Sequence, residues 1–186
     1  MTNPTNARGA APSYTRTKPS LPGTPELPGE ANAKAHLASI VAAYSLQCWA
    51  QYRDTDLNCW DDLRTSMDAV SGDMLELLDD YGISEADCCP DAIDDVIWQF
   101  LRDTPLSCEV RSSWYTAGDE QPDPEEFRIW LTFGGPNCFI RGDFDRSSVD
   151  ARSITVNFSW ASQTRELPWS DDAEDALAWF CDSLVC

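Results

Sequence analysis

Phe127-Arg128-Ile129-Trp130-Leu131-Thr132-Phe133 places an apolar side chain at every second position, at 127, 129, 131 and 133. A period of two is the signature of a strand with one buried face, and it cannot lie on one side of a helix. Around this stretch the pattern repeats. Cys108, Val110 and Trp114 alternate with polar residues, as do Ile154, Val156, Phe158 and Trp160. Gly134-Gly135-Pro136-Asn137 reads as a turn that feeds a further strand through Cys138–Phe144. Four strands with short links predict an antiparallel meander.

Upstream of Pro105 the period is helical. Leu37, Ile40, Val41, Tyr44, Cys48 and Tyr52 form one stripe. Leu57, Trp60, Leu63, Met67, Val70, Met74, Leu77, Leu78 and Tyr81 form a second, and Ile93, Val96, Ile97, Phe100 and Leu101 a third. Gly82 is placed to end the second helix, with Ser71-Gly72 as a candidate bend. Ser84 and Asp87 fit a capping box, and Pro90 suits a first helical turn. After the strands, Ser170 is the expected cap of a last helix whose stripe is Ala173, Leu177, Phe180, Cys181 and Leu184. The expected fold is therefore α+β: three N-terminal helices, a four-stranded antiparallel sheet and a C-terminal helix packed on the sheet. Residues 1–30, with six prolines among Gly, Ser, Thr and Asn, read as a disordered tail. Residues 31–186 read as one domain, helical over 31–104 and sheet plus helix over 105–186.

The chain has 186 residues, with 13 Lys+Arg against 32 Asp+Glu and a net charge of −19. Residues 54–95 alone hold 14 acidic side chains and one basic, Arg64. On a helical wheel Asp61, Asp62, Asp68, Asp73, Glu76, Asp79 and Asp80 lie opposite the apolar stripe of residues 57–81. Their mean axial spacing, roughly 5 Å, is of the same order as the ~3.4 Å per phosphate of one DNA strand. Asp91, Asp94 and Asp95 extend the charge onto the third helix, near its positive dipole end. Like charges three and four residues apart destabilise a helix. Two readings follow: a solvated face that keeps the chain soluble, or a surface that imitates nucleic-acid phosphates and occupies the basic groove of a nucleic-acid-binding protein. A docking face for another basic partner is a third. Direct nucleic-acid binding is disfavoured, because it needs clustered Lys and Arg.

The sheet half is nearly balanced, with ten acidic residues and six arginines over 106–169. Arg111, Arg128 and Arg141 have the parity opposite to their strands' apolar residues, so they are expected to share the solvent face. Pairing with Glu109, Glu126 or the acidic helices, or a functional anion site, are the two roles open to them.

Recognisable catalytic chemistry is sparse. Gln47-Cys48-Trp49-Ala50 superficially resembles the nucleophile segment of papain-like proteases, but no histidine follows His36 to serve as base. Asp54-x-Asp56-x-Asn58 opens like a calcium loop, yet Cys59 replaces the turn glycine and Thr65 the bidentate glutamate. The eight cysteines include no C-x-x-C pair, and buried free thiols are expected, with Cys48, Cys108 and Cys181 on apolar faces. Arg141-Gly142-Asp143 matches an integrin-binding tripeptide of the kind that arises by chance on a strand. No catalytic residue, metal site or cofactor is assigned, and the chain is expected not to be an enzyme. No apolar run reaches membrane-spanning length and no signal-peptide core is present, so a cytoplasmic location is expected.

Glu109-Val110-Arg111-Ser112-Ser113-Trp114-Tyr115, Glu125-Glu126-Phe127-Arg128-Ile129 and Thr132-Phe133-Gly134-Gly135-Pro136 together resemble a sheet region of small acidic proteins encoded by phages and plasmids. The resemblance covers roughly residues 105–145 and carries no catalytic motif. It implies a mobile-element origin, where small acidic proteins often counter host defence. The resulting expectation is a non-enzymatic inhibitor that blocks a host nucleic-acid-binding defence complex of the CRISPR or restriction type. Asp61, Asp62, Asp68, Asp73, Glu76, Asp79, Asp80, Asp91, Asp94 and Asp95 would bind the partner. The alternatives are an immunity or antitoxin-like protein that masks one toxin, and a self-assembly protein that uses an exposed sheet edge.

Overall fold

A computed structural model describes residues 27, 29–52, 70–84, 86–145 and 148–185. Among these, helices α1 (Glu30–Tyr52), α2 (Val70–Asp80) and α3 (Pro90–Asp103) precede the strands, and α4 (Glu174–Val185) follows them. The strands are β1 (Ser107–Ser112), β2 (Pro124–Thr132), β3 (Asn137–Asp145), β4 (Ser148–Val149), β5 (Thr155–Trp160) and β6 (Gln163–Leu167). Short 3-10 turns at Ala151–Ser153 and Asp171–Ala173 lead into β5 and α4. All pairings are antiparallel, in the order β1-β2-β3-β5-β6, with β4 paired to β3.

The class is α+β as expected, but the sheet has six strands rather than four. β4 is only two residues long. β6 carries a single buried residue, Leu167, in Gln-Thr-Arg-Glu-Leu, so it has no apolar alternation to read. It is held instead by backbone pairing to β5 through a two-residue turn at Ala161-Ser162.

One face of the sheet forms the core. Ile129, Ile140, Val156 and Leu167 align across β2, β3, β5 and β6, and all four are buried. Phe127, Leu131, Cys138 and Phe158 flank that row. Gly142 lies opposite Phe127, and a Cβ at Gly142 would stand 2.7 Å from the Phe127 ring, so the missing side chain makes room for the aromatic. Helices cover this face: α1 contacts β5 and β6, and α4 contacts β1, β4, α1 and α3. Leu177, Phe180 and Cys181 of α4 are buried, with the Phe180 ring 6.0 Å from Phe100 of α3.

α1 departs from the expected single stripe. Ala33, Ile40, Ala42, Ala43 and Leu46 are its buried apolar residues, while Leu37, Val41, Tyr44 and Cys48 are half-buried. The helix contacts α2, α3, α4 and the sheet together, so it is enclosed on most sides. Alanines then matter more than large apolar residues, because they let neighbouring backbones approach closely.

The end of α2 is a Schellman motif. Gly82 (φ +76) donates its N–H to Asp79 O at 2.8 Å, and Ile83 N–H donates to Leu78 O at 2.9 Å. The expected cap of α3 differs. Ser84 Oγ donates to Asp87 Oδ2 at 2.5 Å and Asp87 N–H to Ser84 O at 3.0 Å, which closes a turn, whereas the N-cap of α3 is Cys89 with Pro90 behind it. Ser170 likewise caps the 3-10 turn ahead of α4, without a side-chain bond.

Candidate functional site

Two surfaces carry the charge, on opposite sides of the sheet. The first is helical. Asp73, Glu76, Asp79 and Asp80 on α2, and Asp91, Asp94 and Asp95 on α3, are all exposed. The apolar residues Met74, Leu77 and Leu78 of α2, and Ile93, Val96 and Ile97 of α3, are buried between them in sequence, so packing both helices on α1 turns the carboxylates outward. Asp61, Asp62 and Asp68 lie outside the described residues, as do residues 53–69 as a whole. The only basic residue of α2 and α3 is Arg102, at the end of α3, and it is paired with Asp103 at 2.8 Å.

The field is felt at Tyr81, just past α2. Burial raises the pKa of its phenol, and Asp103 and Asp80 raise it further; a hydrogen bond to Thr104 and the Arg102 charge act the other way. The C-terminal ends of α2 and α3 therefore bring carboxylates to one place. Trp98, one turn beyond Asp94 and Asp95 on α3, is 72% exposed, a large aromatic standing among acids.

The second surface is the outer face of the sheet. Glu109, Arg128, Arg141 and Thr155 form one cross-strand row, and Arg111, Glu126 and Asp143 form the next. These residues and Glu166 line a concavity of about 680 Å³. All three arginines thus reach the same face, but their partners differ. Arg111 pairs with Glu126, whose hydrogen bond and charge raise the guanidinium pKa. Arg128 instead lies over two rings, 5.4 Å from the Trp130 centroid and 5.3 Å from that of Phe139. Arg141 Nε donates to Thr155 Oγ1 at 3.3 Å, and Asn157 Nδ2 donates to the same oxygen at 2.9 Å. Neither Arg128 nor Arg141 forms an ion pair among the described residues. Residue parity made the arginine stripe legible; only the register shows that Arg128 and Arg141 are directly opposite each other.

Cys48, Cys89, Cys108 and Cys138 are free thiols. Cys138 is buried and its pKa is pushed up to about 11, which leaves it unreactive. Cys181 is buried and Cys48 half-buried, but Cys108 is exposed. Its parity is that of the core face, yet it stays exposed, as does Val110 at 55%, although α4 reaches β1. The Arg141-Gly142-Asp143 tripeptide sits within β3, with Gly142 against Phe127.

Among the described residues no group of three His, Cys, Asp or Glu could hold a metal ion, and no helix is long and apolar enough to cross a membrane. No protein-family model, curated protein or solved structure matches the chain.

Proposed function

We propose that the protein is a non-enzymatic inhibitor of mobile-element origin that acts in the cytoplasm and binds the basic groove of a nucleic-acid-binding host defence complex, of the CRISPR or restriction type. The observation that supports this reading is the outward display of seven carboxylates on two packed helices, with one paired arginine among them. Rigid helices hold charge at fixed spacing, which a solvated acidic tail does not, and fixed spacing is what a groove built for phosphates recognises. The likeness of residues 105–145 to acidic phage and plasmid proteins points the same way.

In this reading the carboxylates supply a graded, partly interchangeable field, and Trp98 supplies the anchor that a purely electrostatic surface lacks. Replacing Asp73, Glu76, Asp94 and Asp95 by Lys should abolish inhibition of the target while the circular dichroism spectrum is retained. Trp98→Ala should weaken binding by about 2 kcal/mol or more, as interface anchors do. Capture from bacterial lysate at low and high salt, with and without competitor duplex, tests the mechanism directly. A captured complex released by DNA supports mimicry. A single partner retained in the presence of DNA indicates an immunity-type interface instead, and inhibition by the folded quadruple Lys variant overturns the assignment.

A further inference from the structure

Arg128 and Arg141 stand side by side on β2 and β3 in a chain of net charge −19, and neither takes a carboxylate. Like charges directly opposite on a sheet are destabilising, so an ordinary surface would separate or neutralise them. Both are held by contacts that position a guanidinium without cancelling its charge: aromatic faces for Arg128, the Thr155 hydroxyl for Arg141. The Arg141 contact uses Nε and leaves both Nη groups available. Thr155 and Asn157 beneath are buried and bonded to each other, which makes the floor rigid. Planar guanidinium forks so arranged match an oxyanion, either phosphoryl or carboxyl.

The same concavity carries Glu109, Asp143 and Glu166, none of whose side chains has a hydrogen bond or ion pair among the described residues. With Arg111 and Glu126 spent on each other, two free cations face three free carboxylates. A bare anion gains little there, since the surrounding acids offset the arginines. A ligand that carries an ammonium beside its oxyanion satisfies both signs.

We propose that this face of the sheet binds a small zwitterion, with the oxyanion on Arg128 and Arg141 and the ammonium among the flanking carboxylates, chiefly Glu109, which lies opposite Arg128. The site is independent of the acidic helices. It is tested by titrating the full chain and following the arginine Nε–H signals in nitrogen-15 correlation spectra. Phosphoethanolamine and glycine are the zwitterions; inorganic phosphate and acetate are their bare-anion counterparts. The Arg128 and Arg141 signals should shift saturably with at least one zwitterion, which should bind more tightly than its counterpart. Which zwitterion does so identifies the head group as phosphoryl or carboxyl.

Arg128→Gln and Arg141→Gln should each weaken that binding about tenfold or more, the worth of one charge-assisted pair. Glu109→Gln should weaken the zwitterion and strengthen the bare anion, because it removes a carboxylate that opposes the anion beside Arg128. Arg128→Lys keeps the charge and loses the fork, so it should also bind weakly, and it serves if a glutamine variant fails to fold. Absence of saturable shifts with all four probes, equal affinity for bare anion and zwitterion, or binding unaffected by the arginine substitutions would each overturn the proposal.

Discussion

Ala161 stands at φ +54, in the left-handed region, within the turn between β5 and β6. Any Cβ there meets the following carbonyl, at a cost of roughly 1–2 kcal/mol, and glycine escapes this cost while giving back about 0.4–1 kcal/mol through the entropy of its unfolded chain. Ala161→Gly should therefore raise stability by about 0.5–1 kcal/mol in urea denaturation. His36 offers a second test. Burial lowers its pKa from 6.5 in the folded protein, so the unfolded chain takes up the proton first as pH falls. Stability should decline as pH falls through and below about 6.5, the value in the unfolded chain, and His36→Gln should flatten that part of a stability–pH profile.

At the scale of elements, β2 and β3 are matched by the Phe127 ring lying in the space left by Gly142. Gly142→Ala should cost about 1–3 kcal/mol through overpacking, and adding Phe127→Leu should recover part of that loss in a double-mutant cycle. The elements also show what sequence reveals. Period-two patterns marked β1, β2 and β5, and the Gly134–Asn137 turn marked β3; β6 had no apolar alternation, since its pairing is carried by the backbone. Cys108 showed the correct parity but the wrong burial, because parity names a face while coverage depends on how fully the helices shield each strand. α1 misled for the opposite reason: an alanine contributes little to an apolar stripe, yet sits deepest when a helix is enclosed on most sides. Gly82 was legible because a left-handed C-cap has few other occupants. The arginine stripe was readable from parity, but the cross-strand pairing of Arg128 with Arg141 depended on register.

For the whole molecule, the excess of acids is a long-range term. At low ionic strength the carboxylates of α2 and α3 repel one another and the rest of a chain of charge −19. Salt at about 0.5 M shortens the screening length to roughly 4 Å and should raise the unfolding midpoint measurably over that in about 10 mM buffer. The quadruple Lys variant should lose most of this salt dependence, which would trace the repulsion to the helical carboxylates.

The enclosed position of α1 bears on how the molecule comes apart. Among the described residues this helix meets α2, α3, α4 and two strands, which leaves no plane along which helical and sheet halves could separate with intact cores. The chain should melt in a single cooperative transition, with calorimetric and van't Hoff enthalpies equal. A gene divided near Thr104 should give two fragments that each remain unfolded alone and recover structure only when mixed.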